Sequence, residues 1–289
     1  MFTVHGHRGC RAYLPENTIP AFIKAAALGC HALEMDVVIT KDQQVLVSHE
    51  PWLNAEICLS PTGQTMTPEE GKRYNLYQMD YTQIKQLDCG SLGHPRFPEQ
   101  QGTRCYKPSL KDTIIALDNF CAMQGLLPIH FTIEVKREPE DDGIWHPDAE
   151  QFIRLILAVL EEQHVMERTM LQSFDLECLQ WAKRLAPDLR LSYLTDNNRP
   201  LSENLALLDF SPGTYGPNFK YITAAMMQEA QALGLAVIPW TVNEEADIIR
   251  LMDWGVAGVI SDYPKRVLDI QKKRQQASLT TQDLPDSYF

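Results

Sequence analysis

The chain has 289 residues, of which 44% are hydrophobic and 22% are charged, and its net charge is −12. These values are typical of an ordinary globular protein that is long enough to bury a large core in one domain. The negative charge argues against a general binder of nucleic acid or of anionic membranes, although a local cation can still attract a phosphate into a pocket. No apolar run reaches the length that spans a membrane, and the N-terminus lacks the basic start and apolar stretch of a secretory signal.

The cysteines indicate the redox environment. There are seven of them, they are scattered along the chain, and no CxxC pair occurs. An odd number without metal-site spacing predicts reduced thiols rather than a disulfide framework or a zinc site. Together with the missing secretory signal, this predicts a cytoplasmic protein.

The first 49 residues predict a β-α-β unit that is followed by a third strand. Residues 3–7 form a short strand, Arg8 and Gly9 make a turn, and a helix capped by Asn17 or Thr18 follows. Residues 33–39 are β-branched and apolar enough for a second strand, parallel to the first. Residues 45–49 read as another strand, which ends in a histidine.

The segment 50–107 has a different composition from its surroundings. It is rich in Pro, Gly, Gln, Asn and Thr, with one amphipathic piece at 82–87. Because a structureless loop of this length is rare in a compact domain, we expect loops and short helices that pack on one end of the main fold. The segment is therefore predicted to be an insertion within the domain.

After residue 107, strand and helix patterns alternate to residue 260. Predicted strands lie at 129–136, 170–174, 189–194, 213–219, 235–242 and 258–260, and predicted helices at 108–125, 147–163, 175–185, 202–208, 223–233 and 244–253. About eight strands, each followed by a helix, predict a (β/α)8 TIM barrel over residues 1–270, with a polar tail at 271–289. A doubly wound open sheet is the alternative, but the chain has no GxGxxG fingerprint.

Two carboxylates on the second predicted strand point to a cation. Glu34 and Asp36 are two residues apart, so they share one face of the strand at about 7 Å along it. Acids side by side on a buried strand repel each other and lose solvation, and a hard divalent cation would compensate them. A surface strand with two solvated acids is the alternative, but the flanking residues are too apolar for an exposed edge.

The remaining polar residues at predicted strand ends extend this site. In a TIM barrel the chemistry lies at the carboxyl ends of the strands. The residues predicted there are His7, Glu34, Asp36, His49, Glu134, Lys136, Trp240 and Asp262. Three carboxylates beside two histidines suit a hard cation with oxygen ligands and acid–base chemistry, and suit zinc less well. Other interpretations are a Lys136 that only pairs with Glu134, a Trp240 that only lines the wall, and an Asp262 that caps the last helix.

Short motifs in a fixed order give the chain a family resemblance. They are His7-Arg8-Gly9, Glu16-Asn17-Thr18, Glu34-Met35-Asp36, His49, Ile133-Glu134-Val135-Lys136, Trp240-Thr241-Val242-Asn243 and Ser261-Asp262-Tyr263-Pro264. In this order, from residue 7 to residue 264, the set resembles the glycerophosphodiester phosphodiesterase family. The resemblance also identifies 50–107 as the insertion of that family.

The resemblance implies a metal-dependent barrel that cleaves small phosphodiesters such as glycerophosphocholine and glycerophosphoethanolamine into sn-glycerol 3-phosphate and an alcohol. It implies one Mg²⁺ or Ca²⁺ and gives each site residue a role. The metal ligands would be Glu34, Asp36 and Glu134, the general acid and base His7 and His49, and the phosphate contacts Arg8 and Lys136. Trp240 is added as a substrate contact. The nucleophile, water or a neighbouring glycerol hydroxyl, and the oligomeric state, monomer or homo-oligomer, stay open.

Two departures from the family pattern leave the alcohol side of the substrate open. Glu50 follows His49 where the family usually has aspartate, and residues 52–56 lack the usual arginine-threonine-threonine run. A barrel that binds a phosphorylated ligand without turnover is a second hypothesis, which the complete set of acids and histidines argues against. A phospholipase of the sphingomyelinase D type is a third hypothesis, but it would need an apolar mouth and usually secretion.

Overall fold

The structure is a computed structural model that describes residues 2–282, with side chains to residue 277. Within this range the helices and strands alternate as the sequence predicts. The strands are β1 Thr3–Gly6, β2 Ala32–Ile39, β3 Val45–Val47, β4 His130–Val135, β5 Thr169–Ser173, β6 Arg190–Thr195, β7 Gly213–Pro217, β8 Ala236–Val237 and β9 Gly258–Ser261. The helices are α1 Ile19–Leu28, α2 Pro68–Lys72, α3 Tyr81–Ile84, α4 Leu110–Gln124, α5 Ala149–Glu162, α6 Leu176–Leu185, α7 Leu201–Leu205, α8 Ala224–Ala232, α9 Glu245–Asp253 and α10 Pro264–Gln282.

Eight of the described strands run parallel around a nearly closed barrel, in the order β8-β7-β6-β5-β4-β2-β1-β9. The two ends of this order meet through backbone hydrogen bonds from Ala257 N to Val237 O and from Ile260 N to Pro239 O, both of 2.9 Å. An open doubly wound sheet would leave these two strands apart at opposite edges. The predicted (β/α)8 barrel is therefore confirmed.

The third predicted strand does not belong to the barrel wall. β3 pairs antiparallel with β2, with Val47 opposite Val37, because β2 extends past the barrel and the chain then turns back along it. Ser48 N donates to Asp36 O at 3.0 Å, so the next residue, His49, arrives beside the acidic strand end. Strand direction is not visible in a short apolar run, which is why the sequence did not separate β3 from the barrel strands.

The first helix shows how the sequence closes the β-α-β unit. The Thr18 side chain caps the N-terminus of α1, and Gly29 ends the helix with a φ of 96°, a conformation that glycine adopts without strain. The apolar face of α1, including Phe22 and Ala25, is fully buried in the main core outside the barrel. All eight residues of β2 are buried as well, so its acids are held in the interior by a packed strand.

The insertion 50–107 has its own small core, which packs on the extension of β2. Its buried apolar residues are Val38, Leu46, Leu53, Ile57, Cys58, Leu76, Ile84, Leu87 and Cys89. The predicted amphipathic piece at 82–87 is helical only to Ile84. The division of the chain into a barrel domain with an insertion stays a prediction.

Cys58 and Cys89 form a disulfide bond, whereas Cys10, Cys30, Cys105, Cys121 and Cys178 are free and buried. The prediction of reduced thiols throughout is therefore wrong for one pair. The two cysteines are 31 residues apart in the chain, and they meet because the backbone of Leu59 hydrogen-bonds to Asp88. Sequence spacing carries no signal of this loop-to-loop contact.

The segment predicted as a tail begins inside a helix. α10 continues past residue 271 to Gln282, and Gln271 Nε2 donates to Phe2 O at 3.1 Å. Arg274 forms an ion pair with Asp253 on α9, so the helix is tied to the barrel on two sides. Residues 283–289 of the predicted tail lie outside the described residues. No helix among those described has the length and apolarity that crossing a membrane would require.

Candidate active site

Three carboxylates meet where β2 and β4 lie side by side. The parallel register places Asp36 opposite Glu134, and Glu34 lies two residues earlier on the same face of β2. One carboxylate oxygen from each of Glu34, Asp36 and Glu134 lies within 4.8 Å of the others. Their exposed fractions are 0%, 1% and 8%, so all three acids are brought together away from solvent.

This arrangement has the properties of an oxygen-ligand site. Asp36 Oδ1 is buried and has no hydrogen-bond partner among the described residues. Burial and the neighbouring charges of Asp36 and Glu134 hold the pKa of Glu34 well above its usual value. Lys136 Nζ lies 2.8 Å from Glu134 Oε1 and 3.8 Å from Asp36 Oδ1, so it neutralises part of the cluster. The donor set fits a hard divalent cation held by carboxylates.

His7 is held by Asp262, a predicted strand-end residue for which helix capping was the alternative. His7 Nδ1 lies 2.6 Å from Asp262 Oδ1, and its Nε2 faces the acidic cluster, 3.8 Å from Glu34 Oε2. Asp262 also accepts from Arg11 Nε at 2.5 Å and from Asn243 Nδ2 at 2.8 Å. These contacts orient the imidazole, with Nδ1–H toward Asp262 and Nε2 toward the cleft.

The protonation state of His7 follows from its surroundings. Burial, followed by the charge of Arg11, lowers the pKa of His7 to about 4, although Asp262 acts in the opposite direction. His7 is therefore neutral at pH 7, and its Nε2 is able to accept a proton.

His49 is held by its own carboxylate. His49 Nδ1 lies 2.8 Å from Glu50 Oε1, and the imidazole is more exposed than that of His7. The hydrogen bond and charge of His49 outweigh burial and lower the pKa of Glu50, which is therefore ionised at neutral pH. The Glu50 carboxylate therefore holds one ring nitrogen of His49 and fixes the orientation of the imidazole.

Arg8, for which the resemblance implies a phosphate contact, lies deep in the site. It adopts a φ of 50°, and its backbone N–H donates to Glu34 Oε2 at 2.9 Å. Its guanidinium contacts Glu16 Oε1 at 2.6 Å and Asp36 Oδ2 at 3.1 Å, and only 11% of its side chain is exposed. The contact of Arg8 with a substrate phosphate stays a prediction, but its role in binding two buried acids is visible.

Because Arg8 is buried between two acids, its removal should lower the stability of the fold as well as the activity. We expect Arg8→Ala to lower the free energy of unfolding by about 3 kcal/mol or more, since the carboxylates of Glu16 and Asp36 would lose a buried partner. Lys136→Ala should cost less than half of that, because 21% of the Lys136 side chain is exposed. Both variants should lose turnover.

Urea unfolding and steady-state kinetics of the two variants would test this pair of expectations. The exposed Lys41→Ala is a suitable control, which should change neither stability nor rate. Equal stability of Arg8→Ala and the unmodified protein would contradict the structural role of Arg8, and unchanged turnover would remove either residue from the site.

The cleft in front of these residues has a volume of about 390 Å³. The cleft is lined by His7, Arg8, Glu34, His49, Glu134, Lys136 and Trp240. It therefore brings together the predicted site residues except Asp36 and Asp262, which are buried. Trp240 forms part of the wall, where its Nε1 donates to Gly216 O at 2.8 Å. Its contact with a substrate stays a prediction.

Sequence reasoning missed several residues that support the site. Asn17 Nδ2 donates to Asp36 Oδ2 at 2.8 Å, and Gln172 Nε2 lies 3.3 Å from Glu34 Oε1. Asn17 lies within one of the family motifs but was predicted only to cap a helix, and Gln172 lies inside β5, one residue before its end. Asp262 directly follows β9 and was predicted at a strand end, but its contact with His7, 255 residues away, was not predicted.

Fold and cleft together define a (β/α)8-barrel enzyme with a buried acidic site at the carboxyl end of its strands. The sequence model of the Glycerophosphoryl diester phosphodiesterase family matches residues 7–266 of the chain. The protein therefore belongs to the glycerophosphoryl diester phosphodiesterase family, and the resemblance inferred from its motifs is confirmed.

Individual relatives agree with this assignment. A glycerophosphodiester phosphodiesterase of Bacillus subtilis (strain 168) is 26% identical over 279 residues, which cover 92% of this chain and 85% of that protein. A family relative from Silicibacter pomeroyi DSS-3 has a crystal structure with a TM-score of 0.83 and 31% identity, covering 95% of this chain and 94% of that one. A phosphodiesterase from Oleispira antarctica has the same fold, with a TM-score of 0.74 and 21% identity, over 93% and 96% of the two chains.

Proposed function

We propose that the protein hydrolyses glycerophosphodiesters to sn-glycerol 3-phosphate and an alcohol, with one bound divalent cation and with His7 and His49 as general base and general acid. The observation that carries the proposal is the group of three buried carboxylates beside two histidines, each of which is held by another carboxylate. Family membership and the named relatives support it. The Oleispira antarctica structure is a complex with the product sn-glycerol-3-phosphate.

Glu34, Asp36 and Glu134 would hold the cation. When it is bound, the cation supplies positive charge to the phosphate oxygens, where negative charge grows in the transition state. Lys136 lines the same cleft and adds a second positive charge close to those oxygens. The strands hold the three carboxylates together before the substrate arrives, so the protein needs little rearrangement during the reaction.

We propose different roles for the two histidines because their surroundings differ. Neutral His7, with Nδ1–H on Asp262 and Nε2 toward the acidic cluster, accepts the proton of the attacking hydroxyl. His49, beside the ionised Glu50, donates a proton to the departing alkoxide, which is too basic to leave without it. Attack by a neighbouring glycerol hydroxyl would give a cyclic phosphate first, whereas attack by water would not.

A substrate panel combined with a metal panel tests the proposal. Purified protein should release sn-glycerol 3-phosphate from glycerophosphocholine and glycerophosphoethanolamine in the presence of Mg²⁺ or Ca²⁺, and excess chelator should stop the release. A coupled dehydrogenase assay measures the product, and ³¹P NMR detects a cyclic intermediate. Tight binding of these diesters without product formation, under every metal tested, would instead support the non-catalytic binder.

A further inference from the structure

An arginine of the insertion 50–107 also lines the catalytic cleft. This residue, Arg96, is one of the side chains that surround the cleft volume of about 390 Å³. It follows no strand and belongs to none of the family motifs, so no pattern in the sequence marked it. The insertion therefore contributes a charged side chain to the active site, in addition to its packing on the extension of β2.

The other three basic side chains that line the cleft are bound to carboxylates. Arg8 and Arg11 both contact Glu16, at nitrogen–oxygen distances of 2.6 and 3.3 Å. Lys136 Nζ lies 2.8 Å from Glu134 Oε1. Each of these positive charges is therefore compensated before a substrate arrives, which weakens its attraction for a phosphate.

No carboxylate compensates Arg96. Its guanidinium forms no ion pair within the part of the chain whose side chains are described. Its backbone N–H donates to His94 Nδ1 at 3.2 Å, and burial lowers the pKa of His94. The neutral imidazole therefore carries its proton on Nε2, which lies 3.5 Å from Arg96 Nη2 and cannot accept from it. The N–H groups of the guanidinium stay available to a ligand.

The segment that carries Arg96 is anchored on the β1 side of the cleft. The ring centre of the buried Phe97 lies 5.0 Å from the guanidinium carbon of Arg11 and 5.7 Å from that of Arg96. Gln100 Nε2 donates to Arg11 O, in the loop after β1, at 2.6 Å. Because β2 lies between β1 and β4, Arg96 and Lys136 approach the acidic cluster from different sides.

From these observations we infer that Arg96 binds the phosphate group of the substrate. The inference rests on the proposed function and adds a substrate-binding residue to it. A guanidinium presents its N–H groups in a planar fork that matches two phosphate oxygens, and the Arg8 fork is already held by two buried acids. The phosphate remains on sn-glycerol 3-phosphate with close to two negative charges, so the same contact should hold the product.

The kinetic test uses two substrates that share the phosphate and differ in the alcohol, glycerophosphocholine and glycerophosphoglycerol. We expect Arg96→Gln to raise KM about 10-fold for both, because a hydrogen bond to a charged group is lost, while kcat stays within about threefold. The matched control is Arg104→Gln, which removes the same charge from an exposed residue of the same insertion outside the cleft. It should keep the original KM.

Product binding gives a readout that does not depend on turnover. Isothermal titration calorimetry with sn-glycerol 3-phosphate and Mg²⁺ should show a dissociation constant about 10-fold higher in Arg96→Gln than in the control. Arg96→Lys should lose less, because it keeps the charge without the fork. All variants keep the backbone N–H that His94 accepts, so their thermal midpoints should match.

The two failures can be told apart. If the diesters are hydrolysed but Arg96→Gln has the KM and the product affinity of Arg104→Gln, only the inference is wrong. A rise of KM for one of the two substrates alone would place Arg96 at the alcohol and would also overturn it. If the unmodified protein hydrolyses neither diester with any divalent cation, the proposed function is wrong, and the calorimetric comparison still tests the phosphate contact by itself.

Discussion

Replacement of Glu34 by glutamine should lower kcat/KM about 10³-fold or more and abolish the stabilisation of the protein by Mg²⁺ or Ca²⁺. A divalent cation stabilises the charge of the transition state by several kcal/mol. Loss of that stabilisation lowers kcat/KM by a factor of this size. Glutamine has the shape of glutamate and can still accept from the Arg8 backbone N–H, which lies 2.9 Å from Glu34 Oε2. The change therefore removes charge with little change of packing.

In the metal-free protein, by contrast, the replacement of Glu34 should not lower the stability of the fold. Burial and repulsion by Asp36 and Glu134 raise the pKa of Glu34, so the ionised side chain destabilises the fold when no cation is bound. We expect metal-free Glu34→Gln to be at least as stable as the metal-free unmodified protein. A ligand at 100 times its dissociation constant stabilises a fold by about 2.7 kcal/mol, and only the unmodified protein should show this gain.

The pH dependence of metal affinity and of stability follows from the raised pKa of Glu34. A carboxyl group with a raised pKa keeps its proton in the folded state to higher pH, and it must lose that proton before a cation can bind. Metal affinity should therefore fall as the pH is lowered through the raised pKa of Glu34. In the metal-free protein, the loss of stability from this group should appear as the pH rises.

Differential scanning calorimetry with and without metal, together with kinetics, measures these effects. The exposed Glu203→Gln is the control, since it removes one carboxylate far from the cleft, and it should behave as the unmodified protein. Full activity in exhaustively chelated protein would contradict the metal site, and so would an unchanged metal-induced shift in Glu34→Gln.

The second large effect separates the two histidines by the leaving group. His49→Ala should lower the turnover of glycerophosphocholine about 10²- to 10⁴-fold but have little effect on a nitrophenyl phosphodiester, which has a good leaving group. Choline alkoxide is strongly basic and needs a proton to depart, whereas nitrophenolate does not. His7→Ala should lower the turnover of both substrates, because the base acts on the nucleophile whatever group departs.

Asp262→Asn should share the pattern of His7→Ala with a smaller loss. Asp262 fixes the Nδ1–H tautomer of His7 at 2.6 Å and raises the basicity of the imidazole, and an amide does neither as well. Because Asp262 also binds Arg11, the unfolding free energy should be measured beside the rates. Asp269→Asn on the exposed face of α10 is the control.

The outcomes are distinct. If only His7→Ala is rescued by the nitrophenyl substrate, the two roles are reversed. If neither variant is rescued, the division into acid and base is wrong. An Asp262→Asn variant that loses activity on one substrate alone would show that Asp262 does not act through His7 as the base.

Much of the site follows from local patterns. Glu34 and Asp36 share a face because side chains alternate along any strand. The apolar residues around them predict that the strand, and therefore both acids, are buried. The regular alternation of strand and helix patterns is enough to predict the barrel, because parallel strands need crossover helices and these helices cover the sheet. The strand-end rule then placed His7, Glu134 and Lys136 at the same mouth, and the structure brings them together.

Contacts between distant segments depend on how the elements pack, and no local pattern contains them. β3 reads as any apolar strand, yet its antiparallel pairing with β2 is what returns His49 to the acids. The motif of Arg8 implies only a phosphate contact, but the segment before α1 places Glu16 against Arg8, and both side chains are buried. The Asp262–His7 contact joins the last barrel strand to the first. Local side-chain preference acts over a few residues, whereas these contacts arise only once the barrel has closed.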